Sequence, residues 1–240
     1  MSAGTVLLEP AFVLHARAYR ETSLLLEAFS RAHGRIGLIA RGVRGPRAQS
    51  TRALLQPLQR LRMSWRGRGE LPLMTAVEAD ALYRDLTGDT VLAGLYVNEL
   101  ILRLLPRADP HPELFDRYSQ ALAELSSTAA PAWSLRRFER DLVIALGYGL
   151  PLATDSEGRP VQPQARYRYD PEHGPVATTA AAGPLGGTAL LALAQDRAPD
   201  AAGLRELRRM MRRVLRFHLG GRDLESWRVL PELVRRRSRP

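Results

Sequence analysis

The chain has 240 residues, 45% of them hydrophobic, which is enough to bury a core in one large domain or two small ones. Cysteine is absent, which excludes disulfides and thiolate metal sites, and lysine is absent too, so all 35 basic residues are arginine. No run approaches the roughly 20 apolar residues that span a bilayer, and the first residues lack a secretion-signal pattern. We therefore expect a soluble cytoplasmic protein outside the membrane.

The net charge of +10 is concentrated at the two ends of the sequence. Residues 1–80 carry 12 arginines against 6 acids, residues 81–150 carry 7 against 9, and residues 151–240 carry 16 against 10. A GC-rich genome alone explains a preference for arginine over lysine, but every guanidinium still fits phosphates and stacks on bases. Two basic ends around a near-neutral middle favour a polyanionic partner, for which nucleic acid is the usual case.

The first 78 or so residues predict about five short strands and no long helix. The apolar runs are Val6–Leu8, Phe12–Leu14, Leu24–Phe29, Ile36–Ala40, Leu54–Trp65 and Leu71–Val77. Gly34 lies between two of these runs and can supply the positive φ of a hairpin turn. A small closed barrel buries such strands without free edges; an OB-fold is the leading candidate, and an SH3-like barrel fits the pattern nearly as well.

Helical periodicity begins near residue 82 and predicts a mainly α-helical domain over residues 81–240, after an OB-fold domain over residues 1–80. The predicted helices are Thr90–Leu105, a second from about residue 112 to Leu125, Leu135–Leu146 capped by Ser134, Thr188–Leu193 and Gly203–Leu219. Residues 150–187 are rich in proline and glycine and predict an irregular excursion, with one alternating stretch at 166–169. We expect the basic tail at 235–239 to be disordered. The fold class predicted is α+β.

Five arginines are the predicted DNA-binding residues of the barrel, and three of them lie in the basic loop that follows the strand Ile36–Ala40. On an oligonucleotide-binding barrel they would lie along the groove and follow a phosphate chain. The alternative is a solvated loop that is rich in arginine only by composition. The five residues are Arg17, Arg35, Arg41, Arg44 and Arg47.

A second basic group comprises Arg136, Arg137 and Arg140 on the helix Leu135–Leu146. These arginines either pair with Glu139 and nearby acids or receive an acidic peptide beside an apolar groove. A third group is the arginine-rich face of Gly203–Leu219, for which a solvated face is the favoured interpretation.

Signatures of catalysis are missing from the sequence. It contains no Walker loop, no dinucleotide fingerprint and no nucleophile elbow, and its five histidines are scattered without metal-ligand spacing. We expect a protein that is not an enzyme and needs no cofactor. The alternative function is a protein–protein adaptor that recognises acidic peptides and binds DNA only incidentally; a nucleic-acid-modifying enzyme is a second alternative.

Four segments occur in this order along the chain: VLHARAYRETSLLLEAFSRAHGRIGLIARGVRG, YVNELILRLLPRADPHPELFDRY, LRRFERDLVIALGYG and RRVLRFHLGGRDLESW. Together they resemble the RecO family of bacterial recombination mediators. The resemblance implies an N-terminal OB-fold, a helical domain and no bond cleavage. It implies binding of single- and double-stranded DNA, annealing of complementary strands, and cooperation with RecR, possibly with RecF, in loading RecA onto DNA coated by the single-strand binding protein SSB.

The resemblance also assigns a partner to the second basic group. It implies that the acidic C-terminal tail of SSB binds the helical domain, with the arginine pair of the family's LRRFE segment falling on Arg136 and Arg137. Some family members carry a four-cysteine zinc site in the excursion after LGYG. This chain has no cysteine, so zinc is not expected.

Overall fold

The computed structural model describes residues 4–80, 86–127, 131–178 and 183–228, and the basic tail predicted at 235–239 lies outside them. The chain divides into two compact units: residues 1–128 with 224–240 form the first, and residues 129–223 form the second. The first unit contains both the strands and two of the helices that follow them. The boundary predicted near residue 80, which separates strands from helices, stays a prediction.

Five strands of the first unit form a sheet that closes on itself. The hydrogen-bonded order is β1-β2-β3-β5-β4, and β4 pairs back with β1. All neighbours are antiparallel except β3 and β5, which meet in parallel. The strands are β1 (Thr5–Tyr19), β2 (Ser23–Ser30), β3 (Gly34–Ala40), β4 (Arg60–Arg66) and β5 (Leu73–Ala79).

Two strand predictions are wrong in detail. The runs at 6–8 and 12–14 are parts of one continuous strand, β1, whose register shifts where Leu8 adopts a φ of 49°. The run Leu54–Trp65 is also not one strand, because a short helix, α1 (Gln49–Leu54), precedes it and β4 begins only at Arg60. Pro57 and the positive φ of Leu58 lie between the two elements and interrupt the extended backbone. The hairpin prediction is confirmed, since Gly34 has a φ of +66° between β2 and β3.

The inner and outer faces of the closed sheet are both packed. Alternate side chains point inward and form its core, whose fully buried members include Val13, Leu26, Leu38, Leu61 and Met63. On the outside, Phe12 and Phe29 pack against rings of α3 (Pro112–Ser127), and α2 (Asp89–Leu104) precedes that helix. Buried Asn98 of α2 donates a hydrogen bond to the carbonyl of Leu14 (2.9 Å) and accepts one from the Tyr118 hydroxyl. This hydrogen-bond network fixes α2 and α3 to β1.

The second unit contains three helices and a small sheet. The helices are α4 (Pro131–Ala145), α5 (Gly187–Ala194) and α6 (Ala201–His218), which confirm the predicted helices to within four residues at their ends. Ser134, the predicted cap, lies inside α4. The region predicted to be irregular contains β6 (Arg166–Asp170), β7 (Gly174–Thr178) and β8 (Leu185–Gly186), in the sheet order β7-β6-β8.

Together these elements make the protein α+β, with a five-stranded sheet followed mainly by helices. No helix in the described ranges is long and apolar enough to cross a membrane.

Candidate nucleic-acid interface

Three connections of the closed sheet meet at one of its ends. Across this end Arg17 lies opposite Leu25, Leu25 opposite Ile39, and Ile39 opposite Leu73. The β1–β2 turn, the segment after β3 and the β4–β5 loop all begin or end within a few residues of this row. We call residues 17–22, 41–48 and 66–72 the loop end of the sheet.

The segment after β3 is held in place at the loop end. Val43 is 5% exposed and belongs to the sheet core. The backbone N–H of Arg44 donates to the carbonyl of Thr22 (2.9 Å), and its guanidinium donates to the carbonyl of Arg20 (3.1 Å). Gly42 supplies a φ of +72° for the turn that starts the segment. The backbone that carries the loop arginines is therefore held in place by these contacts.

Four of the five predicted DNA-binding arginines lie in the exposed surface of the loop end. None of the four forms an ion pair with a carboxylate of the described residues. Three further exposed arginines add to the positive charge of the loop end, and Glu21 and Glu70 are the acidic residues within it. The four are Arg17, Arg41, Arg44 and Arg47, and the three additions are Arg20, Arg66 and Arg68.

Arg35 lies elsewhere. It is the second residue of β3, about 20 Å along the strand from Arg41 at roughly 3.4 Å per residue. Its Nε atom is 3.9 Å from a Glu27 oxygen, its guanidinium donates to the carbonyl of Leu102, and its side chain is 18% exposed. Desolvation lowers the pKa of Arg35 despite the opposing effect of Glu27. The structure therefore does not bring Arg35 together with the other four arginines.

The connection between α2 and α3 covers the end of β2 and β3 that lies opposite the loop end. The N–H of Ala108 donates to the Arg35 carbonyl (2.9 Å), and Arg107 forms an ion pair with Glu27. Gly34 lies against the backbone of Asp109 so closely that a Cβ atom would stand 2.0 Å from the Asp109 carbonyl oxygen. A ligand therefore cannot reach this end of the two strands without moving the connection, whereas the exposed arginines lie at the other end, the loop end.

The second basic group is paired inside the second unit. Arg136 is 6% exposed and forms an ion pair with Glu139. Arg137 and Arg140 share one carboxylate, with their nitrogen atoms 3.0 and 2.9 Å from Asp196 Oδ1. Partial burial raises the pKa of Asp196, but the two arginines outweigh that effect and hold the pKa below its usual value. Pairing with nearby acids is thus the arrangement observed, and tail binding stays a prediction for all three arginines.

Two other features that could suggest a site have structural explanations. Tyr167 and Tyr169 are 2% and 3% exposed, so they pack rather than present their rings to bases. Ligand atoms of Asp170, Glu172 and His173 lie within 4.8 Å of one another at the β6–β7 turn. Asp170 Oδ1 there accepts hydrogen bonds from the backbone of the other two residues, which is the ordinary geometry of such a turn.

Sequence reasoning missed the partners that lie far along the chain. Asp196 is 56 residues from Arg140, and no local pattern connects them. Arg66 and Arg68 carried a usable signal because they flank Gly67 in a turn that follows the apolar run ending at Trp65, whereas no local pattern marked Arg20.

The chain matches known proteins over nearly its whole length. The family model for the N-terminal part of recombination protein O matches residues 4–83, and the model for its C-terminal part matches residues 86–228. The chain is 51% identical to DNA repair protein RecO of Xanthomonas euvesicatoria, over 95% of this chain and 98% of that protein. It is 52% identical to the RecO proteins of Xanthomonas campestris and Stenotrophomonas maltophilia, over 95% of this chain and 97% or 98% of theirs.

Proposed function

Because this chain belongs to the RecO family of DNA repair proteins, we propose that its closed sheet is an OB-fold barrel that binds DNA through the loop end. OB-folds are five-stranded barrels that bind oligonucleotides with the face of strands 2 and 3 and with the loops 1–2 and 4–5. In this chain both loops lie at the loop end, beside the exposed arginines. The convergence of Arg17, Arg41, Arg44 and Arg47 there is the observation that carries the proposal.

The proposed mechanism is electrostatic. The loop end holds a strand by its phosphates, and neutralising those phosphates releases counterions. When a second strand is held nearby, the repulsion between the two backbones falls and complementary bases pair. The protein thereby anneals strands, binds single- and double-stranded DNA with slight sequence preference, and breaks no covalent bond. With RecR, and possibly RecF, it assists the loading of RecA onto SSB-coated DNA in the nucleoid of the cytoplasm.

The acidic SSB tail is the proposed partner of Arg136, Arg137 and Arg140. The geometry makes this binding an exchange, because a tail carboxylate that reaches Arg137 or Arg140 replaces Asp196, whose side chain is 46% exposed. Swapping one carboxylate for another costs less than opening a buried pair. Arg136 reaches the tail only when its buried pair with Glu139 opens, which costs more than the exchange at Asp196.

A titration of labelled single-stranded DNA, with and without an SSB tail peptide, tests the proposal. Arg41→Glu combined with Arg44→Glu should abolish strand binding and leave tail binding intact, whereas Arg137→Ala combined with Arg140→Ala should do the reverse. Arg136→Ala, the change that the family resemblance points to first, should also lose tail binding and keep strand binding, and its melting temperature shows whether loss of the buried pair with Glu139 contributes.

Two outcomes would point to the other functions. An adaptor would bind the peptide with full affinity while the double glutamate variant bound DNA like the wild type. A nuclease or modifying enzyme would leave cleaved or altered DNA after incubation with Mg²⁺.

A further inference from the structure

Helix α6 carries a continuous cationic face. Its six arginines are all exposed, and at about 100° per residue they cover roughly 140° of the helix circumference over about 16 Å of its length. The opposite side is buried through Leu207, Met211 and Val214. The arginines are Arg205, Arg208, Arg209, Arg212, Arg213 and Arg216.

Four of the six arginines on this face have no carboxylate partner in the described ranges. Arg216 is 3.4 Å from Asp223, and Glu206 of α6 is engaged by Arg166 at 2.8 Å. Arg209 and Arg213 form no ion pair with any carboxylate in the described ranges. The face therefore keeps most of its positive charge.

Aromatic rings are exposed to solvent at the C-terminal end of α6. Tyr148 stacks on His218 with ring centroids 4.0 Å apart and an angle of 8° between the planes, and Phe217 meets His218 edge-on at 5.3 Å. Tyr148 and Phe217 are each 45% exposed. Burial lowers the pKa of His218, so its ring is neutral near pH 7 and stacks as an uncharged aromatic.

The rings adjoin the cationic face through Phe217. Arg213 and Phe217 are one helical turn apart and so share a side of α6. The His218 ring contacts both Phe217 and Tyr148, so the aromatic surface extends from Phe217 to Tyr148, away from the middle of the arginine face. Tyr148 sits between Gly147 and Gly149, which have φ values of +76° and +69° and face open space.

We propose that the arginine face of α6 and the rings of Tyr148 and Phe217 form a second site for single-stranded nucleic acid, separate from the loop end of the closed sheet. The inference deepens the proposed function and rests on it, since annealing requires that two strands be held at once. The arginines follow the phosphates, and the rings stack on one or two bases.

The rings distinguish this proposal from a solvated face or an acidic-peptide site. Arginine on a helix face is expected from the composition alone, and a carboxylate partner would need no flat apolar surface. Exposed aromatic rings next to cations are the usual means of holding bases and phosphates without sequence preference.

The test compares two probes on the full chain: a labelled oligothymidine and an abasic oligonucleotide of the same length. Tyr148→Ala with Phe217→Ala should weaken oligothymidine binding about 5- to 10-fold and leave abasic binding unchanged, since stacking on exposed rings lies at the low end of its range. Tyr148→Phe keeps the ring and should bind like the wild type.

A charge variant tests the arginine face of the site. Its substitutions lie on the solvent side of α6 and should disturb folding less than the ring substitutions. Arg209→Gln with Arg213→Gln should weaken binding of both probes and lower the salt slope by about 1.4, at about 0.7 for each single-strand phosphate that is no longer neutralised. Arg209→Lys with Arg213→Lys keeps the charge and should retain that slope.

Failure of this inference can be told from failure of the proposed function. If the wild type binds neither probe in a salt-dependent way, the proposed function fails. If it binds both steeply but the ring and glutamine variants match it, only the second site fails. Variants that bind DNA normally but no longer bind a protein partner would also overturn the inference, because the face would then be a protein-docking surface.

Discussion

Replacing Arg41, Arg44 and Arg47 together by glutamine should flatten the salt dependence of single-stranded DNA binding. All three side chains are exposed at the loop end without a carboxylate partner in the described ranges. Removing one arginine that neutralises a phosphate lowers the slope of log K against log salt by about 0.7, so removing three lowers it by about 2. When the salt concentration rises from about 50 to about 200 mM, the wild type should therefore lose about 20-fold more affinity than the variant loses.

The assay is fluorescence anisotropy with a labelled oligothymidine at several salt concentrations. A control with the same charge change replaces Arg103, Arg117 and Arg168, which are exposed elsewhere on the chain, and should keep the wild-type slope. Equal slopes for the loop-end variant and the wild type would refute the reasoning, as would an equally large decrease in the control. In the latter case net charge, rather than a positioned surface, would hold the DNA.

Three further predictions concern the scaffold. Gly34→Ala should lower the free energy of unfolding by about 3 kcal/mol or more in urea denaturation, because its Cβ would strike a backbone carbonyl at a positive φ; Gly42→Ala has a similar φ in open space and should cost only about 1 kcal/mol. Asn98→Ala should cost about 2 kcal/mol in the same assay, since the Leu14 carbonyl of β1 loses its buried Asn98 donor, and no change would contradict the role given to that network. Asp196→Asn should lower the melting temperature near pH 7 by more than near pH 3: the folded-state pKa of Asp196 is depressed, so its stabilising contribution is fully present above the unfolded value and is lost as the pH falls through the folded one. A melting-temperature deficit of the same size at both pH values would contradict the pairing of Asp196 with Arg140.

Local patterns were enough to predict much of the fold. The helices recur at the predicted places because a 3.6-residue period is a property of each segment alone. The β2–β3 hairpin followed from one glycine between two apolar runs, and Gly34 has the positive φ that this position required. The merged strand β1 was missed because its bulge at Leu8 interrupts the alternation on which the prediction depended.

The site depended on tertiary interactions that no local pattern contains. Arg35 looked equivalent to Arg41 in the sequence, but α2, more than 60 residues later, supplies the Leu102 carbonyl as its partner, and the α2–α3 connection bonds to its backbone. Asp196 reaches Arg137 and Arg140 in the same way from a distant loop. Burial and pairing of a charged side chain are decided by tertiary packing, so composition and spacing cannot assign them.

Hydrogen–deuterium exchange of the wild-type chain, with and without a single-stranded oligonucleotide, tests the central claim most directly. The account predicts slower exchange at the loop end, in residues 17–22, 41–48 and 66–72, and no change in the covered segments 27–35 and 102–109. Protection confined to those covered segments, or no protection at the loop end under conditions where DNA is bound, would contradict it.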